Sequence, residues 1–314
     1  MQQVVLGLNG PEVSEICFGS LAISPLQGRV TTEEGRDVLR YAIENGINWV
    51  DTAEIYNNYE QLRPVLEEYP ETKIVTKTYA VTEKEFTNTL EKARKLLNRD
   101  IIDFFLLHEQ ENHLTLQGHA GAWEAMLKAK SLGKVKYIGI STHAAAGVRA
   151  GALQPGLDVI HPLINYQGLG IIDGTLQDML DSVYLAAELG IGMYAMKVFG
   201  GGHLASEPEK AVNYIKGIPG IQAMALGMSS RAEVDYNLAL CSNRPVPEAT
   251  RKAVLYRERK LYIADWCQGC GKCIASCPQN ALALIDDRAV VKDEHCILCG
   301  YCGRACEHFC LKIV

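Results

Sequence analysis

Residues 101–141, IIDFFLLHEQENHLTLQGHAGAWEAMLKAKSLGKVKYIGIS, decide the fold. The apolar run IIDFFLL predicts a strand over 101–108. A helix is expected over 122–132, stopped by Gly133, and a second apolar strand over 135–141. Strand, helix and strand make a βαβ unit, and near-continuous apolar strands belong to a parallel sheet covered on both faces. The alternation continues in both directions. Upstream are a helix over 31–45 opened by the capping pattern Thr-Thr-Glu-Glu, a strand over 48–53, a short helix near 60–68, a strand over 73–77 and a helix over 83–97. Downstream, helices over 144–152, 176–189, 209–215 and 231–240 alternate with strands over 159–165, 192–196 and 222–226. Two short apolar runs around Asn9-Gly10 signal a hairpin, and a further strand over 16–19 brings the strands of the alternation to eight. Eight units in about 240 residues have the size of a (β/α)8 TIM barrel. A doubly wound open sheet is the second choice, weakened because no G-x-G-x-x-G follows the first strand.

A chain of 314 residues has room for a small domain beside the barrel. The division expected is 1–242 for the barrel, 243–264 for a linker with Pro245, Pro247 and the basic helical stretch ATRKAVLYRERKLY, and 265–314 for the small α+β domain. Hydrophobic content of 48% and charged content of 22% are those of a globular protein. A net charge of −6 speaks against nucleic acid and against an anionic membrane surface. No apolar stretch reaches the length of a membrane span, and Met1-Gln2-Gln3 lacks the basic start of a signal peptide. The expectation is a cytoplasmic protein.

Eleven cysteines are present, and eight have a pattern. Cys267, Cys270, Cys273 and Cys277 read C-x-x-C-x-x-C-x-x-x-C, followed by Pro278, and Cys296, Cys299, Cys302 and Cys306 repeat the spacing 29 positions later. The segment is an internal duplication. Two zinc sites of four thiolates each are the competing reading, but the doubled run is iron–sulfur spacing. The segment resembles a bacterial two-cluster ferredoxin of the 4Fe–4S type. The resemblance implies crossed ligation: Cys267, Cys270, Cys273 and Cys306 on one cluster, Cys296, Cys299, Cys302 and Cys277 on the other. Glu307 stands where the first run has Pro278, which should alter the turn and not the ligand. Cys310 aligns with Ala281 as a small buried filler, and Cys17 and Cys241 read as buried thiols.

In a barrel of this kind the chemistry lies at the C-terminal ends of the strands. Asp51 and Tyr56 in NWVDTAEIY, Lys77 in KIVTK and His108 in DFFLLHEQ stand there on the second, third and fourth strands. Reducing a carbonyl by hydride creates an alkoxide that needs a proton. Tyrosine is a weak acid, and a nearby ammonium lowers its pKa. Lys77 would supply that charge, Asp51 would hold Lys77, and His108 would orient the carbonyl oxygen or relay a proton. Singly, each residue reads as a cap or a solvated side chain; together, DTA-x-x-Y, the strand-ending lysine and the LLH strand resemble the aldo/keto reductases. The resemblance implies Tyr56 as acid/base, Lys77 and Asp51 as its tuning pair and His108 as orienter.

The same resemblance implies a nicotinamide site. ALGMSSRAEVDYN (225–237) runs from the last strand into a helix whose N-terminus is an anion site. Gly227, Met228, Ser229 and Ser230 would grip the adenosine phosphate, with Glu233 and Asn237 facing the adenine. Arg231 would take a 2′-phosphate, which favours NADP(H) over NAD(H). MKVFGGG (196–202) would pass over the pyrophosphate with Lys197 and Gly200, and Met196 falls where an aromatic ring stacks on nicotinamide. Ser141 matches the family at the carboxamide. Thr142 departs from it, and Asn165 or Gln167 would substitute for the missing amide. His113, His119, His143, His161 and His203 fall near strand ends or loops, as pocket lining or surface.

The two halves carry different currencies: hydride moves two electrons at once, clusters one, and a flavin is the usual converter. No flavin motif is evident. The leading expectation is an NAD(P)H-dependent reductase of a small carbonyl, or oxidant of an alcohol, served by two 4Fe–4S clusters and an external electron partner. Two alternatives stand beside it. In one, the clusters deliver single electrons to a substrate or an unseen flavin. In the other, an electron-transfer protein carries a non-catalytic barrel.

Overall fold

The computed structural model describes residues 1–27, 30–255 and 259–314. A hairpin of β1 (Gln3–Val5) and β2 (Glu12–Ser14) opens the chain, with Asn9-Gly10 in its turn. Eight strands then close into a parallel barrel: β3 (Ile16–Gly19), β4 (Trp49–Asp51), β5 (Lys73–Thr78), β6 (Ile102–Leu107), β7 (Val135–Thr142), β8 (Val159–Pro162), β9 (Gly192–Ala195) and β10 (Ala223–Gly227). β10 returns to β3 in the register Ile16↔Met224 to Gly19↔Gly227, so the strand expected at 16–19 is the one that shuts the barrel.

The outer layer is α1 (Thr32–Glu44), α2 (Tyr59–Glu68), α3 (Glu83–Leu97), α4 (His113–Gly118), α5 (Ala120–Ser131), α6 (Ala145–Ala152), α7 (Leu176–Glu188), α8 (Pro208–Lys216) and α9 (Arg231–Cys241). Helices α1, α3 and α7 start in reciprocal capping boxes, Thr31 with Glu34, Thr82 with Glu85 and Thr175 with Asp178. Strand alternation sorts the core. Trp49, Val75, Phe104, Leu106, Val159, Tyr194 and Ala223 point into the barrel, where Leu6 and Val13 of the hairpin join them. Val50, Ile74, Phe105, Leu107, Ile160 and Met224 point outward under the helices.

The basic stretch after the barrel is helical only in part, as α10 (Glu248–Leu255); its residues 256–258 lie outside the described ones. Its last residues form a strand, β11 (Leu261–Ile263), which pairs antiparallel with β14 (Leu311–Ile313). Between them lie α11 (Lys272–Ala275), the hairpin β12 (Leu282–Ile285) and β13 (Arg288–Val291), and α12 (Tyr301–Arg304). The duplication is visible in the fold. α12 repeats α11 at the same 29-residue offset, and Gly271 and Gly300 before them share φ of 75° and 80°.

The small domain sits on the C-terminal end of the barrel strands. Phe309 packs with Leu169 and Leu204. A Cβ at Gly201 would stand 2.9 Å from the Phe309 ring, and one at Gly202 only 1.9 Å from the Ile313 carbonyl oxygen. His203 Nε2 meets the Leu311 carbonyl oxygen at 3.0 Å. The glycines after β9 thus let two backbones approach closely.

Candidate active site

Period-2 alternation places the expected residues. Asp51 is two positions beyond inward-facing Trp49, Lys77 two beyond Val75, and His108 two beyond Leu106. All three are buried and converge at the barrel mouth. Lys77 Nζ donates to Asp51 Oδ1 at 2.6 Å and to the Thr52 carbonyl oxygen at 2.8 Å. Tyr56 closes a short 3-10 turn, Glu54–Tyr56, and Asn57 follows in the left-handed region at φ 50°. Its ring centre is 5.3 Å from Lys77 Nζ and 6.2 Å from the His108 ring. Asp51, Tyr56, Lys77 and His108 therefore line one cavity of about 870 Å³. Its opposite wall comes from the small domain, with Trp266, Phe309 and Lys312.

Tyr194, beneath the wall, and Tyr79 and His161, in it, support these residues. Tyr194 donates its hydroxyl to Asp51 Oδ2 at 2.8 Å, so both carboxylate oxygens have donors. His161 stacks on Tyr194 with ring centres 3.8 Å apart and brings Nε2 to 3.8 Å from Asp51 Oδ2. Tyr79 stacks on His108 at 4.6 Å and donates to Glu109 Oε2 at 2.5 Å. The signal for Tyr194 and His161 was their inward parity on β9 and β8; their meeting with Asp51 needs the closed barrel. Of the remaining histidines, His143 lines the cavity, while His113, His119 and His203 do not.

Electrostatics corrects one expectation. Burial raises the Tyr56 phenol well above its ordinary pKa, and Asp51 and Glu109 push the same way. The lowering expected from Lys77 is absent because Asp51 neutralises that ammonium at contact distance. Burial also keeps the imidazoles neutral. His108 falls well below its usual value, with Lys77 and His143 adding to the effect, His143 falls to about 4 and His161 to about 3. His108 Nδ1 is buried without a hydrogen-bond partner.

In the small domain none of the eight patterned cysteines forms a disulfide. Burial raises the Cys273 thiol, and the neighbours that add to this are Cys306, Cys267 and Cys270, the crossed set. Cys302 has Cys296 and Cys299 beside it. Among the described residues no three His, Cys, Asp or Glu side chains converge on a position for a single metal ion. The thiols gathered about Cys273 are a donor set that fits an iron–sulfur cluster. Cys310 is buried, and its N–H donates to Cys306 Sγ at 3.3 Å, as the Ala281 N–H does to Cys277 Sγ at 3.3 Å.

The model of the aldo/keto reductase family matches residues 15–219. The chain belongs to that family. A 4Fe-4S dicluster domain matches residues 259–307. Among curated relatives, a probable aldo-keto reductase 1 of Glycine max is 27% identical over 64% of this chain and 60% of its own length. The methylglyoxal reductase DkgA of Salmonella typhimurium is 26% identical over 54% of this chain and 65% of its own. The chain thus spans less than two thirds of both. L-galactose dehydrogenase of Arabidopsis thaliana is 25% identical over 74% of this chain and 86% of its own. Aldo-keto reductase AKR11C1 from Bacillus halodurans superposes with a TM-score of 0.68 at 18% identity, covering 82% of this chain and 96% of that one. The barrel is the (β/α)8 fold of the family.

The aldo/keto reductase cofactor residues are only partly gathered. Met196, Lys197, Gly227 and Glu233 line the cavity. Ser141 and Thr142 are fully buried and face their own backbone: Ser141 Oγ accepts from the Glu109 N–H at 3.0 Å, and Thr142 Oγ1 from the Ala144 N–H at 2.9 Å. Gln167, expected at the carboxamide, is exposed and instead accepts from Arg304 Nη2 of the cluster domain at 2.5 Å. Gly200 packs against Leu169 and Leu204. At the adenosine end, Ser230 caps α9, Met228 and Asn237 are buried, and the Ser229 N–H donates to Glu233 Oε2 at 2.6 Å. Arg231, expected on a 2′-phosphate, chelates Asp37 through Nε and Nη2 and lies over the Tyr41 ring.

Among the described residues no helix is long and apolar enough to cross a membrane.

Proposed function

We propose that the chain is a carbonyl–alcohol oxidoreductase acting in the cavity between barrel and cluster domain. A nicotinamide dinucleotide is its hydride carrier, and two 4Fe–4S clusters link it to an external electron partner. The observation that carries this reading is the meeting of Asp51, Tyr56, Lys77 and His108 on one wall of a cavity roofed by Trp266 and Phe309. Bound nicotinamide supplies hydride to the carbonyl carbon. The neutral His108 imidazole hydrogen-bonds the carbonyl oxygen. Tyr56 remains a protonated phenol at neutral pH and gives its proton to that oxygen as charge develops there. The Lys77 ammonium, held by Asp51, faces the phenolate that remains. The roof excludes water from this step.

The cavity extends from these residues past Met196 and Lys197 to Gly227 and Glu233, a bed for an extended dinucleotide. With a carboxylate on the Ser229 N–H and Arg231 already paired, we read the adenosine end as built for a free 2′-hydroxyl, hence NADH before NADPH. Thiolate ligands for two clusters call for a reducing compartment, which is the basis for a cytoplasmic location.

The test is Tyr56→Phe in the cluster-loaded protein. NADH-dependent carbonyl reduction should vanish while the cluster absorption stays unchanged; retained turnover would remove Tyr56 as the acid. A second reading, single-electron supply to the cavity without nicotinamide, draws on Trp266 beside Cys267 and Phe309 near Cys306, both in the cavity wall. Anaerobically reduced protein separates the two. Reoxidation by an added carbonyl with no dinucleotide present favours the second.

A further inference from the structure

Lys197 is a half-buried cation in want of an anion. It follows β9 in the left-handed region, at φ 58°, where its carbonyl accepts from the Gly200 N–H at 2.7 Å and its side chain lines the cavity. For a lysine this backbone is uncommon. Its ammonium stands 5.5 Å from the centre of the Phe309 ring and, among the described residues, makes no ion pair. Lys77, Lys130 and Lys216, by contrast, have carboxylates: Asp51, Asp158 and Glu15.

The nearby carboxylates have other partners. Asp51 accepts from Lys77 and Tyr194, and Glu109 accepts from Tyr79 and lies 4.0 Å from His143 Nε2. Lys312 adds a second ammonium from the roof, over the Trp266 ring at 4.4 Å, and both lysines are near enough to His143 to hold its imidazole neutral. Partial desolvation lowers the Lys197 amine, and an anion beside it in the cavity would favour its charged form. Lys197 is close enough to His108 to act on its imidazole, and both line the cavity with Tyr56.

We propose that Lys197 is a carboxylate-binding residue, and that the molecule transformed here is a carbonyl or hydroxy compound carrying a carboxylate close to the reacting carbon. Lys197 anchors the carboxylate while the neighbouring oxygen lies between Tyr56 and His108. This rests on the oxidoreductase reading above for the word transformed, but binding is tested without turnover.

The experiment is anaerobic calorimetry on the cluster-loaded protein with phenylpyruvate, its primary amide and inorganic pyrophosphate. Phenylpyruvate should bind about tenfold or more tighter than the amide, the difference a charged hydrogen bond makes. Lys197→Met should erase that preference, and Lys197→Arg should keep part of it. Both variants should retain the wild-type cluster absorption and melting temperature. Tyr56→Phe should keep the preference for phenylpyruvate over its amide even if both bind more weakly, so a failure of the catalytic assignment would leave this result standing. Equal affinity for acid and amide, binding of neither, or a preference that survives Lys197→Met would overturn the proposal. So would a Lys197→Met variant that loses only pyrophosphate, because the lysine would then belong to a dinucleotide.

Discussion

Asp51 is held from both sides, by Lys77 on one oxygen and Tyr194 on the other, with His161 at 3.8 Å. Removing its charge strands the Lys77 ammonium in a site that is almost closed to water. Asp51→Asn should therefore cost roughly 3 kcal/mol of stability in urea denaturation, the usual consequence of halving a buried ion pair. A loss under about 1 kcal/mol would mean that the Thr52 carbonyl suffices for Lys77. The imidazoles set a pH dependence. His108, His143 and His161 hold protons less well folded than unfolded, so between their depressed values and about pH 6.5 the unfolded chain binds more protons. Stability is complete above that pH and falls as pH drops, by up to about 1.4 kcal/mol per histidine per pH unit. Urea midpoints at pH 7 and 5.5 measure the slope, and His161→Gln should flatten it. At this scale Asp51, Tyr56, Lys77 and His108 were legible because strand parity alone aims the three strand-end side chains inward. His161 was read as pocket lining, but its meeting with Tyr194 and Asp51 was not legible, since those partners lie on strands brought together only by closure.

At the scale of elements, β14 and the glycines after β9 form one joint. Gly202 has φ 94°, and a Cβ there would collide with the Ile313 carbonyl. Gly202→Ala should lift β14, with faster hydrogen exchange across Leu311–Ile313 and its partner β11 and no change in the barrel strands. Unchanged exchange would show that the joint yields without opening. The barrel's elements were readable because each has a long apolar pattern between clear stops. β11 was not: three residues have no period of their own, and pairing with β14 makes them a strand. The same glycines read as a bed for pyrophosphate, because nothing in a glycine run says whether a ligand or another backbone will come close. α4 escaped notice for the opposite reason, one turn of helix inside a loop.

For the whole molecule, the cluster domain is too small to fold on its apolar core alone; among the described residues its core is largely the cysteines and a few aliphatic side chains. Chelating the iron under anaerobic conditions should erase amide protection over 259–314 while the barrel keeps its own, and the cavity should lose its roof. Protection that persists over 259–314 would show that the fold stands without the clusters. The duplication has one further consequence. Asn280 and Phe309 hold equivalent places, both left-handed at φ 50° and 48°, yet one is a turn residue and the other is pressed onto the barrel. Trp266 and Gln268 flank Cys267, and Glu307, His308 and Phe309 follow Cys306; these line the cavity. The cysteines of the other set have Ile297 and Tyr301 beside them, exposed at 64% and 54%. Two copies of one part have thus acquired a front and a back. Substitutions in the matching positions of the two repeats therefore answer to different neighbours.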